Sequence, residues 1–186
     1  MGSSSDFQLS WRNTPLQGCG KKNGETATAT EEDLEGVYLV PAKEGDTAKY
    51  PLVVWLHGMG DGFAEGKLLE STNISYWTSD EFQSRFGQAG GAFILAARSR
   101  EEDNIFWSNE MIEPLRAAID EFIAQNKENI DLTRIYVGGY SMGGKMTLKI
   151  AVAYPDMFAA IFPVCPAWVP DSAAAKSSFD VLRLSS

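Results

Sequence analysis

Ser141 sits in the run Gly139-Tyr140-Ser141-Met142-Gly143, the G-x-S-x-G form in which small residues flank one serine. Such a run permits a tight, strained turn that lifts the hydroxyl clear of the backbone, where it can attack an acyl carbonyl. The pattern arises by chance in about one chain in ten of this length, so its surroundings decide what it means. A second run, His57-Gly58-Met59-Gly60-Asp61-Gly62, contains the only histidine of the chain. Its glycines allow a backbone to approach a ligand closely. The chemistry on offer is acyl transfer by a serine, with backbone amides to meet the charge that develops.

Other chemistries have little support. The formal net charge is -9, and the 16 Lys and Arg residues are scattered rather than clustered, which leaves no footprint for a nucleic-acid backbone. No apolar run approaches the ~18 residues of a membrane span, so no membrane partner is expected. Cys19 and Cys165 lie far apart with no other ligand-type residues around them, and with a single histidine no metal site or cofactor is expected. A length of 186 residues, 44% apolar and 22% charged, corresponds to one globular domain with a real core.

The elements that would carry these residues follow from the hydrophobic pattern. Residues 12–33 read as loop with one strand around 26–30, and residues 36–40 as a strand stopped by Pro41, followed by a polar connection of hairpin type over 42–49. Residues 51–56 form a continuous apolar run, the signature of a strand buried on both faces, and it ends in the glycine-rich loop at His57. A helix is expected over 78–86 and a second buried strand over 91–97. Over 109–126, Met111, Ile112, Leu115, Ala118, Ile119, Phe122 and Ile123 recur at helical spacing. Residues 135–138 read as a third buried strand, 142–153 as a helix and 158–165 as a fourth strand. Buried strands alternating with helices predict an α/β fold, a mostly parallel central sheet with helices on both faces. Trp55, Phe106 and Trp107 could line an acyl or aryl pocket, although aromatic residues in such positions are more often core.

Taken together, His57-Gly58-Met59-Gly60, the lead-in Asp131-Leu132-Thr133-Arg134-Ile135-Tyr136-Val137, the serine turn and the following Tyr154-Pro155-Asp156-Met157-Phe158-Ala159-Ala160-Ile161-Phe162-Pro163-Val164 resemble the α/β-hydrolase superfamily. Within it they are most similar to the serine esterases of the feruloyl esterase and poly(3-hydroxybutyrate) depolymerase kind, and Gly18-Cys19-Gly20-Lys21 resembles the entry segment of that branch. The likeness covers roughly residues 18–168. It implies that Ser141 is a nucleophile, that the backbone amides of Met142 and Met59 form an oxyanion hole, and that Gly139, Gly143, His57 and Gly58 support the turn and the loop. It also implies a small acyl or aromatic ester as substrate and an exported protein, secreted or periplasmic. Met1-Gly2-Ser3-Ser4-Ser5 has neither a basic nor an apolar region and reads as an added leader, with the hydrolase domain spanning 18–186.

The resemblance has a deficit. A serine hydrolase of this kind uses an acid and then a histidine that follow the serine in sequence, and no histidine follows Ser141. His57 precedes the presumed oxyanion loop, on the other side of the site. Asp171 and Asp180 read as surface residues. The end of the chain departs from the expected pattern: a helical start at Ser172-Ala173-Ala174-Ala175-Lys176 is not followed by the next apolar strand. The expectation is therefore an α/β-hydrolase domain lacking its C-terminal strands, with residues 159–164 left as an apolar edge on which two copies self-associate. Three functions stay open: a serine ester hydrolase, a non-catalytic remnant that binds a ligand or partner, and part of a prolyl-oligopeptidase-like serine peptidase.

Overall fold

The computed structural model describes residues 34–39, 47–60, 72–99 and 107–166. The expected strand around 26–30, the helical start after Ser172, Phe106, Asp171, Asp180 and Cys19 lie outside the described residues. Strands β1 (Leu34–Leu39), β2 (Tyr50–Leu56), β3 (Phe93–Ser99), β4 (Ile130–Tyr140) and β5 (Ala160–Val164) form one sheet in the order β1-β3-β2-β4-β5. The ladders joining β2 to β3, β2 to β4 and β4 to β5 are parallel, and β1 runs antiparallel to β3. This corrects the hairpin expected between the first two strands: the partner of β1 is β3, with Leu34 opposite Ser99, and β2 lies one place further in.

Every residue of β2 is buried, as its unbroken apolar run requires. On one face Leu52, Val54 and Leu56 pack with Phe93 and Leu95 of β3 against two helices, α3 (Ile112–Gln125) and α4 (Met142–Ala153). The contacts come from Leu115, Ala118, Ile119 and Phe122 on α3 and from Met146 and Ile150 on α4. Leu52, Leu56, Leu115, Ile119, Met146 and Ile150 are completely buried, and each contributes about 1.5–3 kcal/mol through the water it sheds. On the other face Val53, Trp55, Ile94 and Ala96 meet α1 (Thr72–Trp77), α2 (Asp80–Gln83) and the 3₁₀ turns at Ser84–Ala89. Trp77 and Phe82 pack edge to face with centroids 4.5 Å apart, and Trp55 stacks on Phe162 at 6.0 Å.

The single helix expected over 78–86 is thus one short helix, α2, that runs into a 3₁₀ segment, with α1 ending just before it at Trp77. Ser79 caps α2 through its side-chain oxygen, which accepts from the Phe82 N–H, while Gly87 breaks the regular dihedrals at φ 47°. The buried Gln83 stitches this layer to the sheet, donating to the Trp77 carbonyl at 2.9 Å and accepting from the Ala92 N–H at 2.8 Å.

Candidate active site

Strands β2 to β5 all point their carboxyl ends the same way. From β2 the chain steps to β3 on one side, then crosses to β4 and β5 on the other, so the order reverses between β2 and β4. In open α/β sheets the crevice at such a reversal is where ligands bind. The two runs singled out in the sequence leave their strands at this place: Leu56 pairs with Gly139, so the loop that starts at His57 and the turn at Ser141 lie side by side.

Ser141 joins β4 to α4 with φ 54° and ψ -107°, a left-handed conformation that residues other than glycine seldom take. Its N–H donates to the Val164 carbonyl at 2.9 Å, and its own carbonyl accepts from the Lys145 N–H at 3.0 Å, the first turn of α4. No partner for its hydroxyl lies among the described residues. The glycines around it answer to sterics. A Cβ on Gly139 would stand 2.6 Å from the Gly143 carbonyl oxygen and 2.7 Å from that of Leu56, and a Cβ on Gly143 would stand 2.6 Å from the His57 carbonyl oxygen. Glycines in a helix's first turns cost about 1 kcal/mol each relative to alanine; here they let α4 start directly against the end of β2. Met142 is the first residue of α4, so its N–H is one of the amides without an intrahelical acceptor.

The loop after β2 is equally fixed. His57 is 2% exposed. Its Nε2 accepts from the Ser99 N–H at 3.1 Å, which requires the proton to be on Nδ1, and Nδ1 donates to the Gly58 carbonyl at 2.7 Å. The indole N–H of Trp107 donates to the His57 carbonyl at 2.9 Å, and the two rings lie with centroids 5.2 Å apart. Gly58 comes so close to the strand end that a Cβ there would stand 2.9 Å from Cδ1 of Tyr140. The side chain of Met59 is exposed, so its backbone rather than its type carries any role in the loop. Among the described residues neither Gly58 nor Met59 gives its N–H to an acceptor.

The structure thus gathers Gly139, Ser141, Met142, Gly143, His57, Gly58 and Met59 at one place. It does not offer the His57 ring to Ser141, because both imidazole nitrogens are committed to backbone groups of the loop and of β3. Trp55 and Trp107 are 3% and 2% exposed and belong to the core, not to a pocket wall. Ser99 is the site residue that the sequence did not point to, because its place depends on which strand lies beside β2. A cavity of about 390 Å³ lies at the opposite end of α4, lined by Arg116, Tyr154, Asp156 and Met157. There the Tyr154 hydroxyl donates to Glu113 at 2.5 Å, which pushes the phenol's pKa up, and the Arg116 guanidinium stands 4.6 Å over the Tyr154 ring. Among the described residues no group of three or more His, Cys, Asp or Glu side chains is placed to hold a metal ion, and no helix is long and apolar enough to cross a membrane.

The parallel sheet covered on both faces, with a serine turn and a glycine loop at its switch point, has the α/β-hydrolase fold. Residues 107–179 match the prolyl oligopeptidase family. The chain is 29% identical over 142 residues to a poly(3-hydroxybutyrate) depolymerase from Ralstonia pickettii, covering 69% of this chain and 28% of that protein. It is also 29% identical to a thermostable esterase of known structure, with a TM-score of 0.63 over 79% of this chain and 40% of that one. Est1E from Butyrivibrio proteoclasticus, at 19% identity and a TM-score of 0.51 over 77% of this chain and 49% of that one, shares the fold. The chain spans less than half the length of each of these three proteins.

Proposed function

We propose that this chain carries the nucleophile and oxyanion side of a serine carboxylic-ester hydrolase, with Ser141 at a nucleophile elbow. The observation that carries the proposal is the left-handed backbone of Ser141 at a strand-to-helix junction that only glycines at 139 and 143 permit. Strain of this kind costs about 1–3 kcal/mol and persists where the surroundings over-determine it, typically at functional sites. Ser141 Oγ attacks the ester carbonyl carbon, the C–O bond to the alcohol breaks, and an acyl-Ser141 ester forms that water then hydrolyses. The amides of Met142 and Met59 receive the oxyanion, each such donor being worth about 10²–10³ in rate. The similarity to a polyester depolymerase and a thermostable esterase supports carboxylic esters as substrates and, with the resemblance to exported esterases, an exported protein.

The serine proton needs an acceptor. His57 is the only imidazole and is held by the loop, so in this chain the proton passes to solvent. Loss of the histidine from a complete triad lowers kcat by about 10⁶, whereas oxyanion donors and binding alone retain about 10³–10⁴ over water. The expected result with p-nitrophenyl acetate is slow release of p-nitrophenolate and an acetyl group on Ser141 detected by mass spectrometry, both lost in Ser141→Ala. Equal rates for the two proteins and no adduct would overturn the proposal and leave a non-catalytic hydrolase fold. The match to the prolyl oligopeptidase family over 107–179 favours a second reading as a peptidase. Faster attack on a p-nitroanilide than on the matching ester would decide for it.

A further inference from the structure

We infer that Trp107 is a positioning residue for the oxyanion loop: with the Ser99 amide it fixes the tautomer of His57 and thereby the direction in which the Gly58 and Met59 amides point. The inference rests on the reading of Met59 as an oxyanion donor. A trans peptide unit holds its C=O and N–H in opposite directions, so gripping the oxygen aims the hydrogen. Two successive units are gripped in this way. The His57 carbonyl accepts from the Trp107 indole at 2.9 Å, which turns the Gly58 N–H away from Trp107. The Gly58 carbonyl accepts from His57 Nδ1 at 2.7 Å, which turns the Met59 N–H away from the imidazole.

The second grip exists only while Nδ1 carries the proton. That tautomer is held from both sides of the ring: the Ser99 N–H at 3.1 Å needs an unprotonated Nε2, and the Gly58 carbonyl at 2.7 Å needs the proton on Nδ1. The Ser99 amide comes from the last residue of β3, so the end of that strand acts through the imidazole on a peptide of the neighbouring loop. Trp107 completes the arrangement by fixing the His57 peptide, and so the place of the Gly58 carbonyl beside Nδ1. It lies 2% exposed against the imidazole face. Neither amide so aimed has an acceptor among the described residues, as a preorganised oxyanion site requires.

Because the chain has one histidine, ¹⁵N spectra of protein labelled at histidine report this ring alone. The wild type is expected to show a single neutral form with the proton on Nδ1. A proton on Nε2, or rapid averaging of the two tautomers, overturns the inference. Trp107→Phe keeps a ring and loses the indole donor; it is expected to bring in the Nε2-protonated form. Trp77→Phe, which removes a buried indole N–H on the opposite face of the sheet that has no partner among the described residues, is expected to leave the tautomer as it is. If Trp107→Phe gives the wild-type spectrum, or Trp77→Phe shifts the tautomer as much, Trp107 is packing alone. Where Ser141-dependent ester cleavage is measured, Trp107→Phe lowers kcat about 10–100-fold with KM unchanged. Absence of that cleavage in the wild type removes the nucleophile reading, and the tautomer still decides this one.

Discussion

Ser141 and Gly143 make opposite demands on the same turn, and substitution separates them. At φ 54° and ψ -107° the serine occupies a region whose mirror image is ordinary extended backbone, so glycine enters it freely. Ser141→Gly is expected to raise stability by about 1 kcal/mol, relieving strain, which for a chain of this size is about 2–4 °C in Tm, while removing all acylation. Gly143→Ala improves helix propensity by about 1 kcal/mol, yet its methyl would meet the Leu56 and His57 carbonyls, which are backbone and cannot swing aside. The net expectation is a loss of about 1–3 kcal/mol. Thermal unfolding of the two variants checks both signs. A fall for Ser141→Gly would mean that the turn is not strained.

At the scale of elements, β4 owes its beginning to Asp131. That carboxylate accepts from the Thr133 N–H at 3.0 Å, the Thr133 hydroxyl at 2.6 Å and Arg134 Nε at 2.7 Å, while Arg134 reaches on to the Lys49 carbonyl at 2.9 Å and so ties the lead-in of β4 to that of β2. The Thr133 and Arg134 side chains hold the Asp131 carboxyl at about 2, below its usual value of 3.8. A depressed carboxylate favours the folded state above its unfolded pKa, and this contribution disappears as pH falls from about 4 through about 2. Asp131→Asn is expected to cost about 1 kcal/mol or less near neutrality, solvent screening being strong at this exposure, and to flatten the acid limb of a stability-against-pH curve. An unchanged acid limb would show that the carboxylate is not linked to folding. Local chemistry of this kind is what a sequence exposes. Ser141 with Gly139 and Gly143, the buried run of β2 and the periodicity of α3 were legible because each depends on near neighbours. The grips of Ser99 and Trp107 on His57 were not, since they need β3 to lie beside β2. The hairpin expected before β2 failed for the same reason: a polar connection tells where a strand ends, but the sheet decides what it pairs with.

At the scale of the whole molecule, β5 is bonded on one side only among the described residues. Its partner is β4, from Tyr136 opposite Ala160 to Tyr140 opposite Val164. Phe162 packs onto Trp55, Trp77 and Gly138, so the strand is anchored to the core while Val164 stays exposed. An anchored strand whose outer backbone groups have no partner among the described residues is a template for another strand. Pro163 and the strand's short length limit how many ladder bonds a partner can form. We propose that this edge pairs with that of a second copy, weakly and reversibly. The mean mass by light scattering is expected to rise from monomer towards dimer with concentration, and Val164→Lys, placing a charge on the edge, is expected to restore the monomer. The serine turn couples to this outcome, because the Ser141 N–H is satisfied by the Val164 carbonyl: pairing that stiffens β5 also stiffens the turn that carries the serine. A mass that stays monomeric at high concentration would sink the pairing, and acylation per chain independent of concentration would remove the coupling while leaving Ser141 where the sheet puts it.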